Sequence, residues 1–564
     1  MKKHFLVLIL IAAAALRILW LKDYPPGFTP DEASFGYDAY SILKTGKDQW
    51  GHPFPLVFES FGDFKSPLYT YLAIPTVFIF GLNEFSVRLP NAILGTAAVY
   101  LVFLLTRKIK EISGMKNDNG MLKPEIVAAF LLAFSPWHIM MSRGAFEANL
   151  TTFLLPLAIY LFLKGLEKPK FLAWSALVFG LNIFSYHAAK LVTPLVLATL
   201  LVVFQDSLKK LKNKQVLVPA VILTFFVVVF AITVAQGSST RAADVNIFKG
   251  TVGSSSMERL HAVDEGLPDE MSRIFHNKVV VGIRRFSSNY IQYMSTLFLF
   301  AQGPAEGTYG MMPGRGVFYW PEVILFIGSF IFIVKRKPGK IFLPLFVWLF
   351  TAPIPAALAV GPGYSANRSV ILLPVVQIFL AFGLNEVLLL LNTNFIARYK
   401  KLIMTSFGLV WAVLFVFFLE DYFLQSPYKI DKAMNYGNIE VARWVVENDD
   451  GFKEFVITKK LSEPHIYFAF AGKIDPEVYQ KYSSSWDYKG VNVGWVDQIP
   501  SYSLERYTFR NIDWNSDGLR SAILVGRAED FPDGVVPIKT FYYPNGNISL
   551  LVVDPQSQTY ADKN

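Results

Sequence analysis

Asp31 and Glu32 are adjacent carboxylates that come shortly after the first hydrophobic segment of the chain. A carboxylate beside a membrane can accept a hydrogen bond from a hydroxyl group or bind a cation, but it becomes a strong base only where burial raises its pKa. The sequence Thr29-Pro30-Asp31-Glu32 also matches a helix capping box. The two interpretations are compatible, because the helix dipole keeps a first-turn carboxylate ionised and available for chemistry.

Basic residues recur near the predicted membrane edges and could neutralise a phosphate. Lys65 begins the stretch Lys65-Ser-Pro-Leu-Tyr69, Arg368 follows a Gly/Pro-rich turn, and Arg143 precedes Glu147 by four positions. A lysine offers a compact positive charge, and an arginine can hold a phosphate through two hydrogen bonds. Alternatively, Lys65 and Arg368 are interfacial residues whose side chains reach lipid headgroups. The alternative for Arg143 is a helix-surface salt bridge with Glu147.

The composition predicts an integral membrane protein. The chain has 564 residues, of which 53% are hydrophobic, 15% aromatic and only 17% charged. A soluble domain has too little interior to bury this much apolar surface. The net charge of +9 does not indicate nucleic-acid binding, because the basic residues cluster in short segments between apolar spans. Cysteine is absent, which excludes disulfides and thiolate metal sites.

Hydrophobic segments predict eleven membrane-spanning helices. They are residues 5–21, 88–106, 125–141, 150–164, 171–186, 190–204, 216–235, 319–334, 341–359, 369–391 and 402–420. If the N-terminus with Lys2 and Lys3 is inside, the inside loops are 107–124, 165–170, 205–215, 335–340 and 392–401. All five are basic, as the positive-inside rule requires. Two further apolar stretches, 67–82 and 289–301, carry tyrosines and are predicted as helices lying along the outer face.

This topology places chemistry in two outer loops, 22–87 and 236–318, which belong to a membrane module formed by residues 1–420. The tail, residues 421–564, is rich in charge and has short apolar runs such as Phe455–Thr458 and Ile523–Val525. A helix-like segment, Asn438–Glu447, precedes the first of these runs. We expect the tail to be a small soluble α/β domain outside the membrane.

The order of these short motifs resembles the GT-C superfamily of membrane glycosyltransferases. The most similar members are bacterial relatives of dolichyl-phosphate-mannose protein mannosyltransferases and the lipid A aminoarabinose transferase. The matching segments are Pro30-Asp31-Glu32-Ala33, Lys65–Tyr69, Phe80-Gly81, Val87-Arg88-Leu89-Pro90, Ser142-Arg143 with Glu147, Asn367-Arg368 with Leu373-Pro374, Tyr436-Gly437, and Asp475-Pro476 with Tyr479-Gln480. The chain departs from the family at Glu147, where the family usually has Asp.

The resemblance implies a polytopic α-helical fold and transfer of one sugar, with inversion, from a polyprenyl phosphate to an acceptor on the outer face of a bacterial plasma membrane. Asp31 would be the catalytic carboxylate near the acceptor hydroxyl, and Glu32 and Glu147 would complete the catalytic group. Lys65, Arg143, Arg368 and Tyr69 would bind the donor and its phosphate. No cofactor and no essential metal is predicted. The acceptor could be a protein hydroxyl, a lipid or a glycan.

Two other functions remain open at this stage. A lipid or sugar flippase would place ionisable residues within the spans and carry inverted repeats, whereas this chain keeps its charges at the edges and shows no repeat. A non-catalytic scaffold would act through the tail, residues 421–564. The scaffold would lose all function without the tail, whereas an enzyme could retain lipid binding.

Overall fold

The structure, a computed structural model, describes residues 2–115, 122–235, 247–248, 251–305, 307–359, 365–392, 396–449, 454–488, 490 and 493–558. The side chains of Lys2 and Lys3, on which the inside placement of the N-terminus depends, lie outside the described part. So do parts of the predicted outer loop 236–318 and of the turn 360–368.

Helices make up most of the first 430 residues. In chain order they are α1 Lys2–Ile18, α2 Pro30–Thr45, α3 Leu68–Phe80, α4 Glu84–Ile112, α5 Pro124–Ala133, α6 Pro136–Met141, α7 Thr151–Gly165, α8 Lys170–Ile183, α9 Ala189–Val203, α10 Gln205–Leu208 and α11 Asn213–Thr233. They continue with α12 Thr251–Asp264, α13 Asp269–Phe275, α14 Lys278–Tyr293, α15 Glu322–Arg336, α16 Phe342–Thr351, α17 Ile354–Ala357, α18 Ala366–Ser369, α19 Val375–Leu390, α20 Lys400–Glu420 and α21 Ser426–Lys429. A two-stranded hairpin, β1 Phe58–Glu59 and β2 Phe64–Lys65, lies in the first outer loop.

Each of the eleven predicted spans overlaps a helix or a broken helix. Among the described residues, four helices are long and apolar enough to cross a membrane, and a bent pair would make a fifth span. The four are Glu84–Ile112, Glu147–Gly165, Asn213–Thr233 and Ala397–Lys429, and the pair is Ala366–Leu372 with Val375–Leu390. The remaining helices are shorter than a bilayer requires. The count of eleven therefore stays a prediction.

Proline explains one of the breaks. The predicted span 125–141 is divided between α5 and α6 because Pro136 has no N–H to continue the helical ladder. Ser135 caps the second piece by accepting a hydrogen bond from the backbone N–H of His138. The helix expected over 289–301 is wrong in its bounds, since α14 ends at Tyr293 and a separate π-helical turn covers Leu297–Ala301.

The tail contains a six-stranded mixed sheet and several helices, as its sequence predicts. The helices are α22 Asn438–Glu447, α23 Pro464–Gly472, α24 Pro476–Ser483 and α25 Trp514–Asp517, and the strands are β3 Phe455–Ile457, β4 Tyr502–Leu504, β5 Tyr507–Phe509, β6 Ile523–Gly526, β7 Lys539–Tyr542 and β8 Ile548–Val553. The strand order is β4-β5-β3-β6-β8-β7. The central strand β3 runs parallel to β5 and β6, and the other pairs are antiparallel.

The tail packs closely against the first outer loop. The Tyr467 hydroxyl on α23 donates to the Phe28 carbonyl at 2.8 Å, and the Tyr37 hydroxyl on α2 donates to the Ile474 carbonyl at 2.9 Å. A single apolar core continues from the membrane helices into the tail. The tail therefore forms one wall of the region around α2, and the division of the chain at residue 420 stays a prediction.

Candidate active site

Asp31 lies at the second position of α2, and its side chain takes no part in the capping box. The Thr29 side chain accepts from the Glu32 N–H at 3.3 Å, and the Thr29 N–H donates to Glu32 Oε2 at 3.1 Å. The capping role therefore belongs to Glu32. The Asp31 side chain is 37% exposed and forms an ion pair with Lys65 Nζ at 2.7 Å.

Lys65 is held by the hairpin of the first outer loop. It lies on β2 opposite Phe58, and its side chain is only 4% exposed. Its ammonium group lies 4.8 Å from the ring centroid of Phe35 and 5.2 Å from that of Phe61. The aromatic faces stabilise the cation where little water reaches it. The result is a buried positive charge whose carboxylate partner is open on one side.

Glu32 joins three segments around this pair. Both of its carboxylate oxygens accept from Arg88 on α4, at 2.9 Å from Nε and 3.2 Å from Nη2. Glu32 Oε1 also accepts from the N–H of Ala145 at 3.0 Å. Arg88 Nη2 in turn donates to the Gly27 carbonyl at 2.6 Å. This buried network holds the start of α2 against α4 and Ala145, and the catalytic role of Glu32 stays a prediction.

We expect Arg88→Met to lower the free energy of unfolding by about 3–5 kcal/mol, because it leaves the Glu32 carboxylate buried without its cation. Thermal and denaturant unfolding of the purified protein in detergent measures the change. The matched control is Arg273→Met, which removes a largely exposed partner of Asp269 and should cost under about 1 kcal/mol. Equal effects of the two substitutions would contradict this role for the Glu32 network.

Glu147 and Arg368 come from distant parts of the chain toward the same region. Glu147 begins a short 3₁₀ turn before α7 and lies within electrostatic range of both Asp31 and Lys65. Arg368 is on α18, and the hydroxyl of Tyr186 lies within electrostatic range of both Glu147 and Arg368. Glu147 therefore interacts electrostatically with the Asp31–Lys65 pair, and Tyr186 with Glu147 and Arg368, but a common site for all of these residues stays a prediction. Tyr186 is not among the site residues that the sequence predicts.

Two predicted donor-binding residues have other partners in the structure. Arg143 is fully buried and donates to the carbonyls of Leu16, Leu19 and Trp20 at 2.7, 2.7 and 3.1 Å. It forms no ion pair with Glu147 in the described part of the chain, so the predicted salt bridge is wrong. Its contacts satisfy carbonyls at the end of α1, and phosphate binding by this side chain finds no support.

Tyr69 is also fully buried, and its hydroxyl donates to the Val87 carbonyl at 2.9 Å. Its ring packs against Phe35 with centroids 5.0 Å apart. The side chain therefore supports the aromatic wall beside Lys65, and a direct contact between Tyr69 and a donor finds no support.

The tail adds an acid that sequence reasoning missed. Glu463 precedes α23 and lies within electrostatic range of both Lys65 and Asp31. Burial, followed by the nearby Asp497 carboxylate, holds the pKa of Glu463 well above its ordinary value. No local motif marks this residue, because it reaches the site only through packing of the tail on α2.

Known proteins are similar to this chain, some in part of their sequence and others in their fold. The family described as dolichyl-phosphate-mannose-protein mannosyltransferase matches residues 64–233, which include Lys65 and Glu147. The putative mannosyltransferase YycA of Bacillus subtilis (strain 168) is 27% identical over 213 residues, covering 36% of this chain and 29% of YycA. An uncharacterized protein of Aquifex aeolicus (strain VF5) is 29% identical over 180 residues, covering 32% of this chain and 33% of that protein. The chain thus spans about a third of the length of these curated relatives.

The decisive structural match extends over nearly the whole chain. The crystal structure of ArnT from Cupriavidus metallidurans bound to undecaprenyl phosphate aligns with a TM-score of 0.53 and 12% identity, covering 98% of each chain. The resemblance to the GT-C superfamily is confirmed. This chain therefore has the fold of ArnT, and four of its described helices are long and apolar enough to cross a membrane.

Proposed function

We propose that this chain is an inverting glycosyltransferase that moves a sugar from a polyprenyl phosphate to an acceptor on the outer face of a bacterial plasma membrane. The observation that carries the proposal is the pair of Lys65, a buried cation, and Asp31, a carboxylate that remains 37% exposed. Breaking a sugar–phosphate bond needs a cation at the leaving group and an anion near the attacking hydroxyl. One ion pair at the outer loop offers both.

The reaction follows from these two charges. The acceptor oxygen forms a bond to the anomeric carbon while Asp31 takes the hydroxyl proton. The bond between the anomeric carbon and the phosphate oxygen breaks, and its electron pair goes to the phosphate. Lys65 and Arg368 compensate the charge that develops there. A single displacement inverts the anomeric centre, so that a β-linked donor gives an α-linked product.

The nature of the donor is supported by two relatives. The matching family is described by its use of dolichyl-phosphate-mannose, and the ArnT structure contains undecaprenyl phosphate. A polyprenyl carrier can deliver its sugar by lateral diffusion within the bilayer, so a nucleotide-binding fold is unnecessary. The acceptor is a protein hydroxyl, a lipid or a glycan, and we propose that the tail selects it, because the tail packs against the first outer loop.

A release assay in proteoliposomes tests the function. The purified protein is supplied with undecaprenyl phosphates that carry mannose, glucose or aminoarabinose, together with an envelope extract as acceptor. Protein-dependent formation of free undecaprenyl phosphate from one of these donors, and none from nucleotide sugars, is the expected result. Movement of the intact glycolipid between leaflets without cleavage would instead indicate the flippase.

A further inference from the structure

Three potential metal ligands from two segments of the tail, one holding Glu463 and His465 and the other Asp497, lie near one another. Glu463 and Asp497 each offer one carboxylate oxygen and His465 offers one imidazole nitrogen, and these three atoms lie within 4.8 Å of one another. Two atoms bound to a metal at about 2.1 Å can lie up to about 4.2 Å apart. The limit of 4.8 Å lies slightly above this value, so metal binding would draw the three side chains closer together.

The imidazole of His465 has one nitrogen available for a ligand. The side chain is completely buried, and its Nδ1 lies 3.0 Å from the Tyr502 hydroxyl, which donates to Asp497 Oδ1 at 2.7 Å. Its Nε2 has no hydrogen-bond partner among the described residues. A metal-binding histidine characteristically has its second nitrogen oriented by such a polar partner.

Glu463 also has an unused oxygen. The residue is 7% exposed, and its Oε2 has no hydrogen-bond partner in the described segments of the chain. Its backbone N–H donates to Asp497 Oδ2 at 2.6 Å, which fixes the two acids side by side. Within the described ranges neither acid forms an ion pair. Two neighbouring carboxylates in a buried setting are costly unless a cation compensates them.

We propose that Glu463, His465 and Asp497 bind one divalent transition-metal ion. One imidazole and two carboxylates suit Zn²⁺ or Mn²⁺, and three protein ligands leave a coordination position open. The ring centroid of Phe61, in the outer loop, lies 5.4 Å from that of His465. The same Phe61 centroid lies 5.2 Å from Lys65 Nζ. The ion would therefore lie close to the Asp31–Lys65 pair. That it adds positive charge for a donor phosphate rests on the proposed function, whereas metal binding itself does not.

Metal binding by the full chain is measured without any turnover assay. The protein in detergent is stripped with a chelator, dialysed, and titrated with ZnCl₂ and MnCl₂ by calorimetry, with bound metal counted by mass spectrometry. We expect one ion per chain. Glu463→Gln, His465→Gln and Asp497→Asn should each raise the dissociation constant for the metal at least about tenfold. The metal should also raise the Tm of the parent protein but not of the variants.

The matched control is His52→Gln. His52 Nδ1 lies 3.2 Å from Asp48 Oδ2, which gives another histidine–acid pair in the outer loop, but the His52 side chain is 55% exposed. This variant should bind the metal like the parent. Less than one ion per chain in the parent, or equal loss in His52→Gln and the three tail variants, would overturn the proposal. Because binding is measured separately, failure here leaves the transferase proposal standing, and failure of the release assay leaves the metal site standing.

Discussion

Asp31→Asn is expected to lower sugar transfer by about 10²–10⁴-fold while leaving undecaprenyl phosphate binding intact. The amide keeps the size of the side chain but cannot take the proton of the acceptor hydroxyl. The fold should survive, because the helix cap is made by Thr29 and Glu32 and not by Asp31. The release assay measures transfer, and binding of radiolabelled undecaprenyl phosphate measures the lipid site.

Asp23→Asn is the control for this substitution. Asp23 lies in the same outer segment but lines a different pocket, with Glu84 and Arg443. Its replacement should leave transfer unchanged. Full turnover by Asp31→Asn, or equal losses in the two variants, would show that Asp31 is not the base.

Lys65→Met should reduce transfer by about 10²–10³-fold, because it removes the buried cation to which we assign the charge on the leaving phosphate. In contrast to Asp31→Asn, it should also weaken lipid binding, since the phosphate is present in the ground state as well as in the transition state. Stability should change less than in Arg88→Met, because the Asp31 side chain left behind is already 37% exposed. Parallel transfer and lipid-binding measurements separate the two effects.

Lys47→Met is the matched control, since Lys47 is an exposed lysine of the same outer loop. It should bind lipid and turn over like the parent. Undiminished lipid binding together with undiminished transfer in Lys65→Met would contradict the assignment of this lysine to the phosphate.

The start of α2 could be predicted from sequence because its capping box depends on local order, whereas the chemistry assigned to Asp31 and Lys65 stays a prediction. The capping box at Thr29–Glu32 places Asp31 in the first turn of α2, and a short hairpin brings Lys65 back to it. The hydrogen bonds of Arg143 could not be predicted, because their acceptors are backbone carbonyls in and just after α1, which no side-chain pattern reveals. An arginine four residues before a glutamate is a helical pair only if a helix continues between them. Here residues 143–146 are not helical, and a 3₁₀ turn begins only at Glu147.

The contribution of the tail could not be predicted, because it depends on docking between segments far apart in sequence. The tail was correctly expected to be α/β, from its alternating apolar runs. Its contact with the site arises through hydrogen bonds such as Val496 N–H to the Phe61 carbonyl at 2.9 Å, and through the close approach of α23 to Gly36, where an added Cβ would lie 2.7 Å from Phe470. These contacts bring Glu463 toward Lys65 and argue against a tail that acts as an independent scaffold.

The central claim is that Asp31, Lys65 and Glu147 belong to one active site. Its most direct test is an electron cryomicroscopy map of the full chain in nanodiscs with undecaprenyl phosphate bound. We predict a phosphate within hydrogen-bonding distance of Lys65 Nζ, with Asp31 and Glu147 facing the same cavity. A phosphate bound elsewhere on the protein, with Asp31 and Glu147 opening into separate spaces, would contradict the account.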